Sequence, residues 1–169
     1  AMHALMQHLD FAEVPDIAAI ERQARSLFDQ GILTEEAYQS LDVRNVWRFV
    51  SSALGRRLRE AKRVYRELPF GRLLPAKKYY KEAQDEADRI FLQGIIDVLF
   101  EEENGDYILL DYKTDRHISP QDARTRYQFQ IDLYCDAVET ILGRPVKECY
   151  LFLLDTGREV RMERRAASA

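Results

Sequence analysis

Apolar residues recur at helical spacing through the first third of the chain. Ile17, Ile20, Ala24, Leu27 and Phe28 mark one amphipathic helix over residues 15–30, and Gly31 follows as a stop. Thr34 with Glu35 and Glu36 starts a short helix to Leu41. Val43, Val46, Trp47, Val50 and Leu54 predict a third, ending near Gly55. The pattern then changes. Residues 64–70 alternate as a strand, and Pro69 places its end there or puts it at a sheet edge. Residues 74–88 are charged and turn-rich without clear periodicity, which reads as a surface loop or short helix of variable length.

Residues 90–113 are the most informative. Two apolar strands flank Glu103-Asn104-Gly105, a hairpin signal whose register follows from the loop length. A three-residue loop with Gly105 left-handed sets Glu102 against Asp106 and therefore Asp97 against Asp111. That register collects Ile96, Val98, Phe100, Ile108, Leu110 and Tyr112 on one face. Asp97, Leu99, Glu101, Leu109, Asp111 and Lys113 take the other. A two-residue turn would scatter both the apolar set and the two aspartates, so the three-residue loop is the expectation.

Ser119-Pro120-Gln121-Asp122 is a helix start, with a capping hydroxyl and proline in the first turn. The helix should run to about Leu142, where Gly143 and Pro145 end it. A strand over residues 147–155 and a short one over 159–162 follow. The order predicts an α/β fold, a mixed sheet flanked by helices, with a helical part over residues 1–60 and an αβ core over 61–163.

Length and composition agree with one domain, since 169 residues at 46% hydrophobic content can bury a core without crosslinks. A net charge of −4 gives no bulk signal for nucleic acid, so any basic surface must be local. Cys135 and Cys149 are too few for a disulfide framework or an iron–sulfur cluster and read as buried thiols. No apolar run could span a bilayer and no signal sequence stands at the start, so the chain reads as soluble and cytosolic, without a membrane partner. Opening on Ala1-Met2-His3, it reads as a piece of a longer polypeptide.

Asp97 with the run Asp111-Tyr112-Lys113 would put two carboxylates and an ammonium within a few ångströms. Carboxylates so close repel unless a cation lies between them. Hard oxygen ligands in small number suit Mg²⁺ or Mn²⁺, which accept a phosphate oxygen and acidify a water. Phosphodiester hydrolysis is the natural chemistry, with Lys113 orienting the water or stabilising developing charge. The competing reading is an exposed hairpin face of surface ion pairs.

Three segments carry a resemblance: Gly94-Ile95-Ile96-Asp97, then Asp111-Tyr112-Lys113-Thr114-Asp115, then residues 127–134, Tyr-Gln-Phe-Gln-Ile-Asp-Leu-Tyr. In that order they resemble the RecB-type branch of the PD-(D/E)xK nucleases. The likeness extends over almost the whole chain and is strongest toward the carboxy-terminal nuclease domains of the AddA-type helicase–nucleases. The opening residues 3–9 share it.

The resemblance implies a restriction-endonuclease-like core. It also implies a metal site of His3, Asp97, Asp111 and the carbonyl of Tyr112, with Lys113 as the catalytic lysine. Glu67 matches the family's first-strand acid, and Gln130 would orient a ligand or touch a phosphate. Tyr127, Gln130 and Tyr134 share one helix face, which core packing also explains. Arg124 and Arg126 could hold a DNA backbone, as could the cluster Arg56, Arg57, Arg59, Lys62 and Arg63, although such runs are more often solvated faces.

By the same resemblance the domain would cut single-stranded DNA delivered by a helicase in the same polypeptide, in recombinational break repair. Its partner would be an AddB-like protein and its place the bacterial cytoplasm. No Gly-Lys-Ser or Gly-Lys-Thr phosphate loop occurs, so ATP is not expected to bind here. Two alternatives stay open: a nuclease-like fold reduced to DNA binding or subunit docking, and a stand-alone endonuclease of the same superfamily.

Overall fold

In the computed structural model, which describes residues 1–79, 82 and 87–164, five strands form one sheet in the order β1-β2-β3-β4-β5. Helix α1 (Met2–His8) and a 3-10 turn (Phe11–Glu13) lead into α2 (Ile17–Asp29), α3 (Glu35–Gln39), α4 (Val43–Ser51) and α5 (Ala53–Arg59). Next come β1 (Arg63–Pro75), the short α6 (Ala76–Tyr79), β2 (Arg89–Glu101) and β3 (Tyr107–Lys113). The long α7 (Pro120–Leu142), β4 (Val146–Leu153) and β5 (Arg158–Met162) complete the fold. Strands β3 and β4 are parallel, joined by α7, and every other pair is antiparallel, so the sheet is mixed as predicted.

Helix starts follow the capping residues. Asp16, Thr34 and Ser119 each accept from the backbone N–H three residues on, at 2.8, 3.1 and 3.0 Å. The expected single helix from Val43 to Gly55 is instead two. Ser52 is extended (φ −70°, ψ 164°) and caps α5 by accepting from Gly55 N at 3.0 Å. Gly55 is no stop: a Cβ there would stand 2.1 Å from the Phe49 carbonyl oxygen, so the glycine lets α5 pack against the end of α4.

β1 also runs beyond the predicted 64–70. It occupies the sheet edge, which is why Pro69 sits inside it at no cost to the ladder. Leu74 and Pro75 belong to β1 and residues 76–79 to α6. The rest of the expected 74–88 loop lies largely outside the described residues.

The sheet is buried on both faces. Val98, Phe100, Ile108, Leu110, Tyr112 and Phe152 meet the N-terminal helices, where Leu5, Ile20, Phe49 and Leu54 are at most 1% exposed. Leu99, Leu109, Leu151 and Leu153 meet α7 through Ile131, Cys135 and Val138. The two cysteines are free and buried. No helix among the described residues is long and apolar enough to cross a membrane.

The hairpin adopts the three-residue loop. Gly105 is left-handed (φ 89°), Glu102 N donates to Asp106 O at 2.9 Å, and Val98 faces Leu110. One placement differs from expectation: Ile96 packs with Leu99 on the α7 side, whereas Val98 packs against the N-terminal helices. Residues of equal parity thus lie on opposite faces, so the alternation inverts at Asp97. The same happens in β1, where Tyr65 and Leu68 both pack on the α7 side while Arg66 bonds to α1. The ladder register of β1 and β2 is unchanged across this point, with Arg66 facing Val98 and Leu68 facing Ile96. Between them Glu67 takes a left-handed backbone (φ 52°), an uncommon conformation for a residue with a Cβ, and this absorbs the inversion.

Candidate active site

Inversion at the facing residues Glu67 and Asp97 builds the site. The ladder between β2 and β3 ends at Val98 and Leu110, and beyond it β3 pairs only with β4. Asp97 fills the gap between the parted strands, accepting from Tyr112 N through Oδ2 at 2.8 Å. Its other oxygen, Oδ1, meets His3 Nε2 at 2.9 Å, bringing α1 to the sheet. Single ligand atoms of His3, Glu67 and Asp97 all lie within 4.8 Å of one another.

On the α7 side, Lys113 Nζ lies 2.7 Å from Asp111 Oδ2, donates to Gln130 Oε1 at 2.5 Å and stands 4.0 Å from the centre of the Tyr127 ring. Gln130 in turn donates to the Tyr134 hydroxyl at 2.9 Å, and Tyr134 packs edge-on against Phe70. The expectation that Asp97, Asp111 and Lys113 share one face of the sheet therefore needs correction. Asp97 lies in the inter-strand gap and meets His3 of α1, whereas Asp111 pairs with Lys113, which faces α7, and falls outside the group formed by His3, Glu67 and Asp97.

Charge is crowded here. Burial, and then the neighbouring Asp97 carboxylate, push the Asp111 carboxyl up to about 7 although Lys113 opposes them. For Asp97, burial also pushes upward, but hydrogen bonds from His3, Asp111 and Tyr112 outweigh it and hold the group below the usual carboxylate range. The hydrogen bond to Asp97 raises the His3 imidazole above its ordinary value. One oxygen of Glu67, Oε1, is buried without a hydrogen-bond partner. The His3 imidazole with the carboxyls of Asp97 and Glu67, one of whose oxygens is orphaned, is a donor set a hard divalent cation satisfies.

Other candidates are placed differently. Arg126 pairs with Asp115 at 2.6 Å, and Asp115 also accepts from the Tyr127 hydroxyl at 2.7 Å, so Arg126 is tethered beside the cluster. Arg124 donates to the Arg161 carbonyl at 3.2 Å, in a polar groove between α7 and β5. Of the basic run near α5, Arg57 is ion-paired with Glu102 at 2.7 Å and Glu148 at 2.5 Å, tying α5 to the hairpin and β4.

Two residues near the site are given no role by the sequence: Asp115, at the end of the Asp-Tyr-Lys motif, and Arg66, beside Glu67. Asp115 could have been found as a carboxylate between two cluster residues. Arg66 carried no signal, because it acts on backbone carbonyls.

This fold and this acidic cluster with its lysine define a nuclease class, and the chain belongs to it: the family model of the PD-(D/E)XK nuclease superfamily matches residues 1–169. Among curated proteins, the chain is 43% identical over 169 residues to an ATP-dependent helicase/nuclease chain of Heliobacterium modesticaldum, covering 96% of this chain and 12% of that protein. It is 39% identical over 166 residues to the protein of the same name from Bacillus velezensis, covering 93% of this chain and 13% of the relative. It is 38% identical over 161 residues to that of Thermoanaerobacter sp., with the same two shares, 93% and 13%. The chain thus spans about 12–13% of the length of these relatives.

Proposed function

We propose that this chain is a single domain that hydrolyses DNA phosphodiester bonds with Mg²⁺ or Mn²⁺ held by His3, Asp97, Asp111 and the carbonyl of Tyr112, with Glu67 beside them. The gathering of His3, Glu67 and Asp97 ligand atoms within 4.8 Å of one another, with the Asp111–Lys113 pair on the α7 side, carries this reading. The buried, unpartnered Glu67 oxygen fits a cation there. When bound, such an ion acidifies a water and neutralises charge on the phosphoryl group.

The chain's own residues do the rest. Lys113, already held by Gln130, would orient the attacking water or donate toward the phosphate, and its ammonium would offset charge developing on the oxygens. Tyr127 and Tyr134 fix these two side chains from α7. Arg126 stands beside the cluster, and Arg124 lines the α7–β5 groove with Arg161, so both could hold phosphates of the strand.

The names of the relatives, ATP-dependent helicase/nuclease, support a helicase in the same long polypeptide that would supply the ATP use, and the wider reading is that this helicase feeds single strands to the domain. An AddB-like protein would be its partner, in cytoplasmic double-strand break repair by recombination.

The test is cleavage of a labelled single strand by wild type and Asp111→Ala under Mg²⁺ or Mn²⁺. Wild type should cut, and both the variant and chelated wild type should not. Equal cutting by both proteins, or none by either, would return the domain to a binding or docking role.

A further inference from the structure

We propose that Arg66 is a positioning residue that fastens α1 to the edge strand so that His3 reaches Asp97. The inference rests on the reading of His3 as a metal ligand. Helix α1 has only seven residues and no side-chain cap at its N-terminus, so it is not stable alone. Its apolar anchors Leu5 and Met6, with Leu9 just beyond, are fully buried. Apolar burial is non-directional, however, and tolerates rotation or sliding of a short helix. Besides the His3–Asp97 contact itself and the Asp42 N–H that donates to Met2 Sδ at 3.3 Å at the other end, directional contacts come from Arg66, whose Nη1 donates to the carbonyls of Gln7 at 3.2 Å and Leu9 at 2.6 Å where α1 ends. The same guanidinium lies 4.4 Å from the centre of the Phe11 ring in the next turn.

Gln7 is one helical turn from His3, so fixing its carbonyl fixes the azimuth of the imidazole. With a side chain reaching roughly 6 Å from the helix axis, a rotation of about 20° would move the imidazole by about 2 Å. Metal–ligand distances tolerate only about 0.2 Å. The strand inversion makes this geometry possible, because the consecutive residues Arg66 and Glu67 both lie toward α1. One grips the helix while the other offers a carboxylate to the same cluster.

The experiment is Mn²⁺ titration calorimetry on wild type, Arg66→Ala and Arg66→Lys, each with His3 present and in a His3→Ala background. Arg66→Ala should weaken Mn²⁺ affinity by about tenfold when His3 is present, the loss usual for a group that orients a ligand. It should cost nothing further once His3 is gone. Arg66→Lys should lose less, in the same His3-dependent way, and serves as the comparison if Arg66→Ala does not fold. Unchanged affinity with His3 present, or an equal loss in both backgrounds, would overturn the assignment. Failure of wild type to take up Mn²⁺ would instead refute the metal reading itself.

Discussion

The backbone N–H of Tyr112 donates to the side chain of Asp97 at the point where β2 and β3 stop pairing. A carboxylate thus replaces a ladder bond, so Asp97 serves the sheet as well as the cluster. Asp97→Ala should destabilise the fold by about 1–3 kcal/mol by leaving that buried N–H unpaired. Asp97→Asn keeps an acceptor and should fold nearly as well, yet take up no metal. Urea unfolding beside Mn²⁺ titration separates the two effects, and equal stability of both variants would refute the structural half.

Asp111 gives the metal-free protein a pH dependence. Its carboxyl rises from 3.8 to about 7 on folding, so the folded state keeps a proton that the unfolded chain has released. The stabilisation is complete below about pH 4 and is lost as pH rises through about 7. His3, also raised, acts in the same direction. Thermal melts in chelator should show wild type losing stability between pH 5 and 8, with Asp111→Asn flatter and more stable at the upper end. A wild type that gains stability over that range would contradict this.

Gln130 holds the Lys113 ammonium, and its effect should fall on rate rather than on metal uptake. Gln130→Ala should lower the cleavage rate constant roughly tenfold, about 1.4 kcal/mol of barrier, with Mn²⁺ affinity unchanged. Removing the amine itself, as Lys113→Met, should cost on the order of 10²-fold or more. Single-turnover cleavage with metal titration distinguishes these outcomes, and a change confined to metal affinity would move Gln130 from the lysine to the ligands.

Glu67 holds a left-handed backbone and a buried, unpartnered oxygen, two costs to folding at one residue. Asparagine tolerates that conformation and is shorter. Glu67→Asn should therefore match or exceed wild type in thermal stability while binding Mn²⁺ more weakly. A variant that loses stability and keeps its affinity would show the glutamate to be structural.

Arg57 belongs to the fold rather than to a DNA track. With side chains 29% exposed on Arg57 and 13% on Glu148, the pair is partly screened, so Arg57→Ala should cost about 1–2 kcal/mol. The salt dependence of DNA binding should not change. A shallower salt slope in filter binding would restore Arg57 to the nucleic-acid surface.

The hairpin was legible because a left-handed Gly105 and two runs of alternating side chains leave one register that buries both sets. The caps at Thr34 and Ser119 were equally plain, since hydroxyl acceptors act within three residues of themselves. Parity failed at Ile96, where a strand inversion depends on the backbone angle of Glu67, a residue on another strand. The break at Ser52 was hidden because Val46, Val50 and Leu54 keep helical spacing across it. Asp97, Asp111 and Lys113 could be named from residue type and spacing and His3, Glu67 and Tyr112 only through the resemblance, but their division between the two sides of the sheet could not, since that division follows from the same inversion.

His3 lies on α1 and Gln130 on α7, and they approach the site from opposite helical layers. A molecule whose α7 has come away holds only a fraction of the cluster. On the proposed site, undocking either layer would part His3 from Asp97 or Gln130 from Lys113, so cutting would require both layers in place.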